Sequence, residues 1–180
     1  MEQEQEKVIF VTDIQQNDLM DFKIYHNYHS FSGLATVLFG VIMIVISCVS
    51  IGRFNIAYTL MTGFFGFFFT IYTPIGIYFK VKKQVKTIPA FKEPVKYTVT
   101  DEKITLSQGE ITEDLLWSDI YKIKFTGKNI VLYITSINAN IIPLRCIKGC
   151  LNDFLEIVRK QLKPYQVKFS DKKVLAAAQR

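Results

Sequence analysis

From His29 to Phe79 the chain carries a single Asp, Glu, Lys or Arg, and it is Arg53. Such a gap cannot form a solvated surface, and it divides into two apolar blocks. Phe31 to Ile51 has twenty-one residues. As a helix it would reach about 32 Å at roughly 1.5 Å per residue, against a hydrocarbon core of about 30 Å. Phe54 to Phe79 has twenty-six residues and would reach about 39 Å, enough to span with tilt. A helix packed on a soluble core keeps a polar side, and neither block has one. Both are expected to cross a membrane, as spans of about 31–51 and 54–79 within a hairpin at 31–79. The connection, Gly52 to Asn55, is too short for anything but antiparallel helices, so both termini fall on one side.

Lys80, Lys82, Lys83 and Lys86 follow the second block at once. Four lysines against one arginine in the turn is the positive-inside pattern. It predicts a two-span cell-membrane protein with cytoplasmic N- and C-termini. Residues 1–30 hold six acids against two lysines and offer no basic lead into a signal sequence. Gly33, Gly40 and Ser47 recur at seven-residue spacing, and Thr59, Gly63, Gly66, Thr70 and Thr73 form a comparable stripe. Small residues permit close helix approach, either within the hairpin or between copies. Pro74 predicts a kink near the end of the second helix.

The flanking regions are organised differently. Residues 1–30 read as an acidic cytoplasmic arm. It contains a short strand at Val8–Thr12 and a helix capped by Thr12 or Asp13, with Leu19 and Phe22 on one face. Residues 80–93 read as a basic juxtamembrane linker and 165–180 as a tail. Between them, 94–164 shows repeated alternation: 94–100, 103–107, 110–117, 120–125, 130–135 and 141–144. Turn residues separate these runs. Pro143 makes the last one an edge or terminal strand. Leu151, Phe154, Leu155, Val158 and Leu162 then recur at helical spacing, and Pro164 ends the helix. The fold class is α+β: a two-helix transmembrane hairpin plus a C-terminal antiparallel barrel or sheet capped by one helix.

That order is the order of a pleckstrin-homology-like domain. The arm from Thr12 through Asp18 to Phe22, the two adjacent apolar helices, Leu116 to Ile120 with its Trp117, and Ile141 to Arg145 before a helix resemble the YcxB-like family of bacterial membrane proteins. The resemblance implies a C-terminal pleckstrin-homology-like domain and names no activity.

Chemistry is sparse. His26 and His29 share a helix face below Asp18 and Asp21 but lack a convincing remaining ligand set, so no metal is expected. Cys146 and Cys150 lack the partners of a zinc site and should be reduced thiols, while Cys48 is a packing residue. No nucleophile elbow, phosphate loop, metalloprotease motif or dinucleotide fingerprint is present. The chain is therefore expected to be non-enzymatic and without cofactors. Residues 80–180 hold nineteen Lys and Arg against ten Asp and Glu. Lys80, Lys82, Lys83 and Lys86 are candidate lipid contacts because the topology sets them beside the bilayer. Trp117, Lys122, Lys124 and Arg145, with Lys148, are candidates for a partner or headgroup, with a core role for Trp117 and a solvated basic face as the plainer readings. Expected partners are the bilayer, a membrane or cytoplasmic protein, and a second copy of the chain, with no nucleic acid. The function expected is an anchored binding or regulatory module for a protein or anionic lipid. Immunity to a membrane-active toxin or bacteriocin is the alternative.

Overall fold

The computed structural model describes residues 7–88, 91 and 93–179. Residues 1–6 of the expected arm, 89, 90 and 92 of the expected linker, and 180 of the expected tail lie outside them. In chain order the elements are β1 (Val8–Thr12), α1 (Gln16–Tyr28), α2 (Phe31–Ser50), α3 (Ile56–Thr87), β2 (Val95–Val99), β3 (Lys103–Gln108), β4 (Ile111–Leu116), β5 (Lys122–Phe125), β6 (Asn129–Tyr133), β7 (Ala139–Pro143), α4 (Leu144–Ile147), α5 (Leu151–Gln161), β8 (Val167–Lys168) and α6 (Asp171–Ala178). The protein is α+β. It divides into two compact units, Met1–Phe22 with Gln84–Arg180, and Lys23–Lys83.

The first unit is built from two four-stranded sheets. One has the order β1-β2-β3-β4 and the other β7-β6-β5-β8. All pairings are antiparallel except β5 with β8. β1 alternates strictly: Val8, Phe10 and Thr12 are buried, Ile9 and Val11 exposed. Its partner is β2, with Val8 opposite Val99 and Thr12 opposite Val95. The β3–β4 turn uses Gly109 at φ +57°, a conformation that a Cβ would strain. Phe10 stacks on Tyr97 at 5.1 Å and meets Phe154 of α5 edge-on at 6.0 Å. The core therefore joins strands on both sides of the apolar helices to α5. Leu151, Phe154, Leu155, Val158 and Leu162 are all buried, as their spacing predicts, and Ile157 joins them. β7 is an edge strand ending in Pro143, also as predicted.

Three details differ from the sequence reading. α1 starts at Gln16 rather than just after Thr12 or Asp13. The Asp18 carboxylate accepts the Gln15 N–H at 2.8 Å, an acid three residues into the helix satisfying the cap position. α3 continues helically through Lys80, Lys82, Lys83 and Lys86 to Thr87. Residues 165–179 carry β8 and α6, with Val167 and Val174 buried. Pro164 does end α5, but the Gln166 side chain donates to Ile120 O at 2.6 Å, and Gln166 O accepts from Ile123 N at 2.8 Å. These bonds return the chain to β5. The first unit thus draws on residues either side of the expected 94–164.

The second unit is the apolar hairpin. α2 and α3 are long and apolar enough to cross a membrane, and their large side chains point outward: Leu38, Ile42, Val45, Leu60, Met61, Phe64 and Phe67 are all exposed. Gly40 and Ser47 of α2 meet Gly63, Gly66 and Thr70 of α3 between the two helices, whereas Gly33 lies against Asn27 of α1. The Ser47 hydroxyl donates to Thr59 O at 2.8 Å. Thr62 and Thr70 satisfy their hydroxyls on their own helix, at Tyr58 O and Gly66 O. A Cβ added at Gly66 would lie 2.8 Å from Ile44 N and 3.0 Å from Gly40 O, both backbone atoms that cannot rotate away. A Cβ at Gly63 would lie 3.6 Å from Ser47 Cβ, within disulfide range. The pair Ser47→Cys with Gly63→Cys should therefore crosslink readily, and adding Gly66→Leu should abolish the crosslink by forcing the helices apart. Undiminished crosslinking on a non-reducing gel would contradict this packing.

Candidate functional site

The sequence candidates separate into three environments. Trp117 opens a tight helical turn after β4 and is only 6% exposed. Its indole Nε1 donates to Thr100 O at 2.9 Å, so it belongs to the core, the plainer of its two readings. Lys80, Lys82, Lys83 and Lys86 lie along the last turns of α3, where cations suit the helix dipole.

Arg145 sits in α4 and faces the arm. Its guanidinium donates to Asp18 Oδ1 at 2.5 Å and to Asp13 O. Asp18 is almost fully buried. The hydrogen bond from Arg145 to Asp18, followed by that carboxylate's charge, pushes the Arg145 pKa up, partly opposed by burial. Asp21, one turn on, accepts from Asn129 Nδ2 at 2.7 Å and from the Thr126 hydroxyl. Asn129 is fully buried at the start of β6 and also donates to Asp18 O at 3.3 Å. Phe22 lies against Tyr133 at 6.2 Å between ring centres. Together these contacts fasten α1 to the second sheet: two acids meet one cation and two neutral donors. The sequence offers Asp18 and Asp21 as neighbours of the histidines and as part of the arm that resembles the family, without a partner for either. Their three-residue spacing places both on one helix face, and that was the available signal. The sequence places Asn129 in the turn before 130–135, whereas the structure makes it the first residue of β6.

Among the described residues no group of three or more His, Cys, Asp or Glu is arranged to hold a metal. His29 stacks on Tyr25 at 4.0 Å, with Nδ1 at 2.9 Å from Tyr25 O. Cys48, Cys146 and Cys150 are free thiols. Burial, then Asp153, pushes the Cys150 pKa up, away from the reactive thiolate.

Lys122 and Lys124 share a face of β5. The register sets Lys124 opposite Lys168 of β8. Lys122 Nζ stands 4.6 Å from the Tyr121 ring centre and 5.0 Å from that of Tyr133. Desolvation lowers the Lys124 pKa, and the charges of Lys122 and Lys168 lower it further. The sequence places Lys168 in the tail, and only the pairing of β8 with β5 brings it here.

Residues 99–158 match the model of the YcxB-like protein family, the family to which the sequence motifs pointed. The match runs from the end of β2 into α5. It includes Leu116 to Ile120 and Ile141 to Arg145, and leaves out β1, α1 and both apolar helices. No curated protein and no solved structure matches the chain.

Proposed function

We propose that this chain is a membrane-anchored, non-enzymatic binding module whose folded domain lies at the cytoplasmic surface of the cell membrane. The observation that carries the reading is the pairing of β1 with β2. β1 precedes the apolar helices and β2 follows them, yet they share one sheet. Two segments of one hydrogen-bonded ladder must occupy one compartment, and a two-span hairpin satisfies this whereas a single span does not. The outward-facing apolar side chains of α2 and α3 support insertion into lipid. Lys80, Lys82, Lys83 and Lys86 against Arg53 support a cytoplasmic domain. Seven antiparallel strands split four and three, followed by α5, support a pleckstrin-homology-like reading of the domain. The two short elements after α5 are additions to that plan. The ligand class is a protein partner or an anionic lipid, held near the bilayer at high effective concentration.

Cysteine accessibility tests the arrangement. In a chain whose native cysteines are replaced by serine, Arg53→Cys should react with a membrane-impermeant maleimide on intact cells, and Gln179→Cys only after lysis. The chain should stay with membranes through an alkaline wash. Release by that wash, or labelling of Gln179→Cys from outside, would remove the reading.

A further inference from the structure

We propose that one end of the second sheet enters the interface of the bilayer that anchors the chain, with Ile137, Tyr121 and Tyr165 as the contact residues. This deepens the membrane-anchored reading and rests on it. Strand order and register set the three residues at the same end of adjoining strands. Ile137 lies in the turn from β6 to β7, beyond the pair Tyr133 and Ala139. Tyr121 precedes β5, and its N–H donates to Tyr133 O at 2.8 Å. Tyr165 precedes β8, which runs parallel to β5 with Val167 opposite Ile123. Ile137, Tyr121 and Tyr165 are 71%, 57% and 65% exposed. One exposed apolar residue is ordinary, but three on neighbouring strand ends mark a contact surface.

This surface suits lipid. From Asn129 to Leu144 there is no Asp, Glu, Lys or Arg, so the Ile137 turn brings no charge with it. The Thr135 hydroxyl accepts the N–H groups of Ile137 and Asn138 at 3.3 and 2.9 Å. Asn138 O accepts those of Ile134 and Thr135. The turn satisfies its own donors, which lowers the cost of leaving water. The Tyr165 turn is closed in the same way: Gln166 Oε1 accepts from Lys163 N at 3.1 Å, and Gln166 Nε2 donates to Ile120 O at 2.6 Å. Lys122 and Lys163 stand over the rings of Tyr121 and Tyr165, at 4.6 and 6.0 Å. Tyrosine at headgroup level with a lysine reaching to phosphate is the composition of an interfacial anchor. Asp119 is exposed two residues before Tyr121, so the apolar tips rather than net charge carry the contact. Chain connectivity identifies the occupant. The N-terminal segment of the first unit ends at Phe22, which lies against Tyr133 at this end of the sheet. α2 begins at Phe31, and the nine residues to it reach about 30 Å even fully extended. The tips are thereby tethered within reach of the bilayer.

The test uses the full chain in nanodiscs of phosphatidylcholine brominated on its acyl chains, with tryptophan fluorescence as the readout. Trp117 is in the core and gives a background common to all variants. Ile137→Trp and Tyr165→Trp should each be quenched ~2-fold or more beyond Lys128→Trp, which lies exposed in the turn at the opposite end of β5 and β6. The difference should persist without anionic lipid and change little with salt. Ile137→Asp with Tyr121→Ser should return the Tyr165→Trp signal to the level of the Lys128→Trp control. All these positions are exposed, so the variants keep the fold. Equal quenching at both ends of the sheet would overturn the contact, as would quenching that requires phosphatidylglycerol or survives the double substitution. Flotation separates the two readings. A chain that does not float with the discs removes the anchoring reading and this contact with it, whereas a floated chain with equal quenching removes this contact alone.

Discussion

A chain that begins at Lys23 should fail to fold its first unit. Without β1, β2 becomes an unpaired edge in place of an interior strand. Val8, Phe10, Leu19 and Phe22 are all buried in the full chain. At about 1.5–3 kcal/mol per buried side chain, their loss removes on the order of 6–12 kcal/mol. A domain's whole net stability is about 5–15 kcal/mol. In detergent, the shortened chain should lose amide-exchange protection in β2 and β3 and become sensitive to protease. A synthetic peptide covering 7–22, added in trans, should restore protection. The converse variant joins residues 7–22 by a flexible linker to 91–179 and omits the hairpin. It should be soluble and folded without detergent. Full protection in the chain lacking the arm would mean that β1 is dispensable, and the same-compartment argument would go with it.

Replacing Arg145 by Ala should have the second-largest effect. Breaking a buried ion pair costs about 3–5 kcal/mol because one charge is left uncompensated. Here Asp18 is only 7% exposed at its side chain but Arg145 is 39% exposed. Water can therefore reach one partner, and a loss of about 2–3 kcal/mol is expected. The loss should be local first. α1 should show faster amide exchange, and exchange at β6 should follow, because Asn129 and Asp21 belong to the same polar set. Arg145→Lys should recover only part, since an ammonium cannot reach Asp18 and Asp13 O in one planar fork. A double-mutant cycle with Asp18→Asn should give a coupling energy of ~1 kcal/mol or more. Additive effects would show that the two side chains do not act together. The raised Arg145 pKa fixes the pH sign. The arginine's contribution is fully present below its ordinary value and is lost only as pH rises through the raised one. No change from this residue is expected near neutrality.

The two long apolar helices and the strand-rich region after them were legible because their signals are local. One charge in fifty-one residues needs no partner to be read, and neither does alternation from β2 to β7. The core face of α5 was visible for the same reason, since its apolar spacing lies within one helix. β8 is only two residues long, too short to carry a period, and β1 could be read as a strand but not assigned a partner. For the candidate sites, Lys122 and Lys124 were readable as neighbours on one strand. The role of Arg145 depended on a residue 127 positions away, and the place of Lys168 on the β5–β8 register.

By itself the sequence determined the two apolar helices, the antiparallel hairpin, the polarised charge and the run of short strands before a helix. All of these follow from spacing along one stretch of chain. Tertiary structure alone decided that the arm completes the first sheet, that Gly40 and Ser47 pack on Gly63 and Gly66, and that Lys168 lies opposite Lys124 across β5 and β8. Each is a pairing between segments far apart in the chain. Such pairings are set by which edges and faces remain to be covered once the local elements exist, and no single segment records that information.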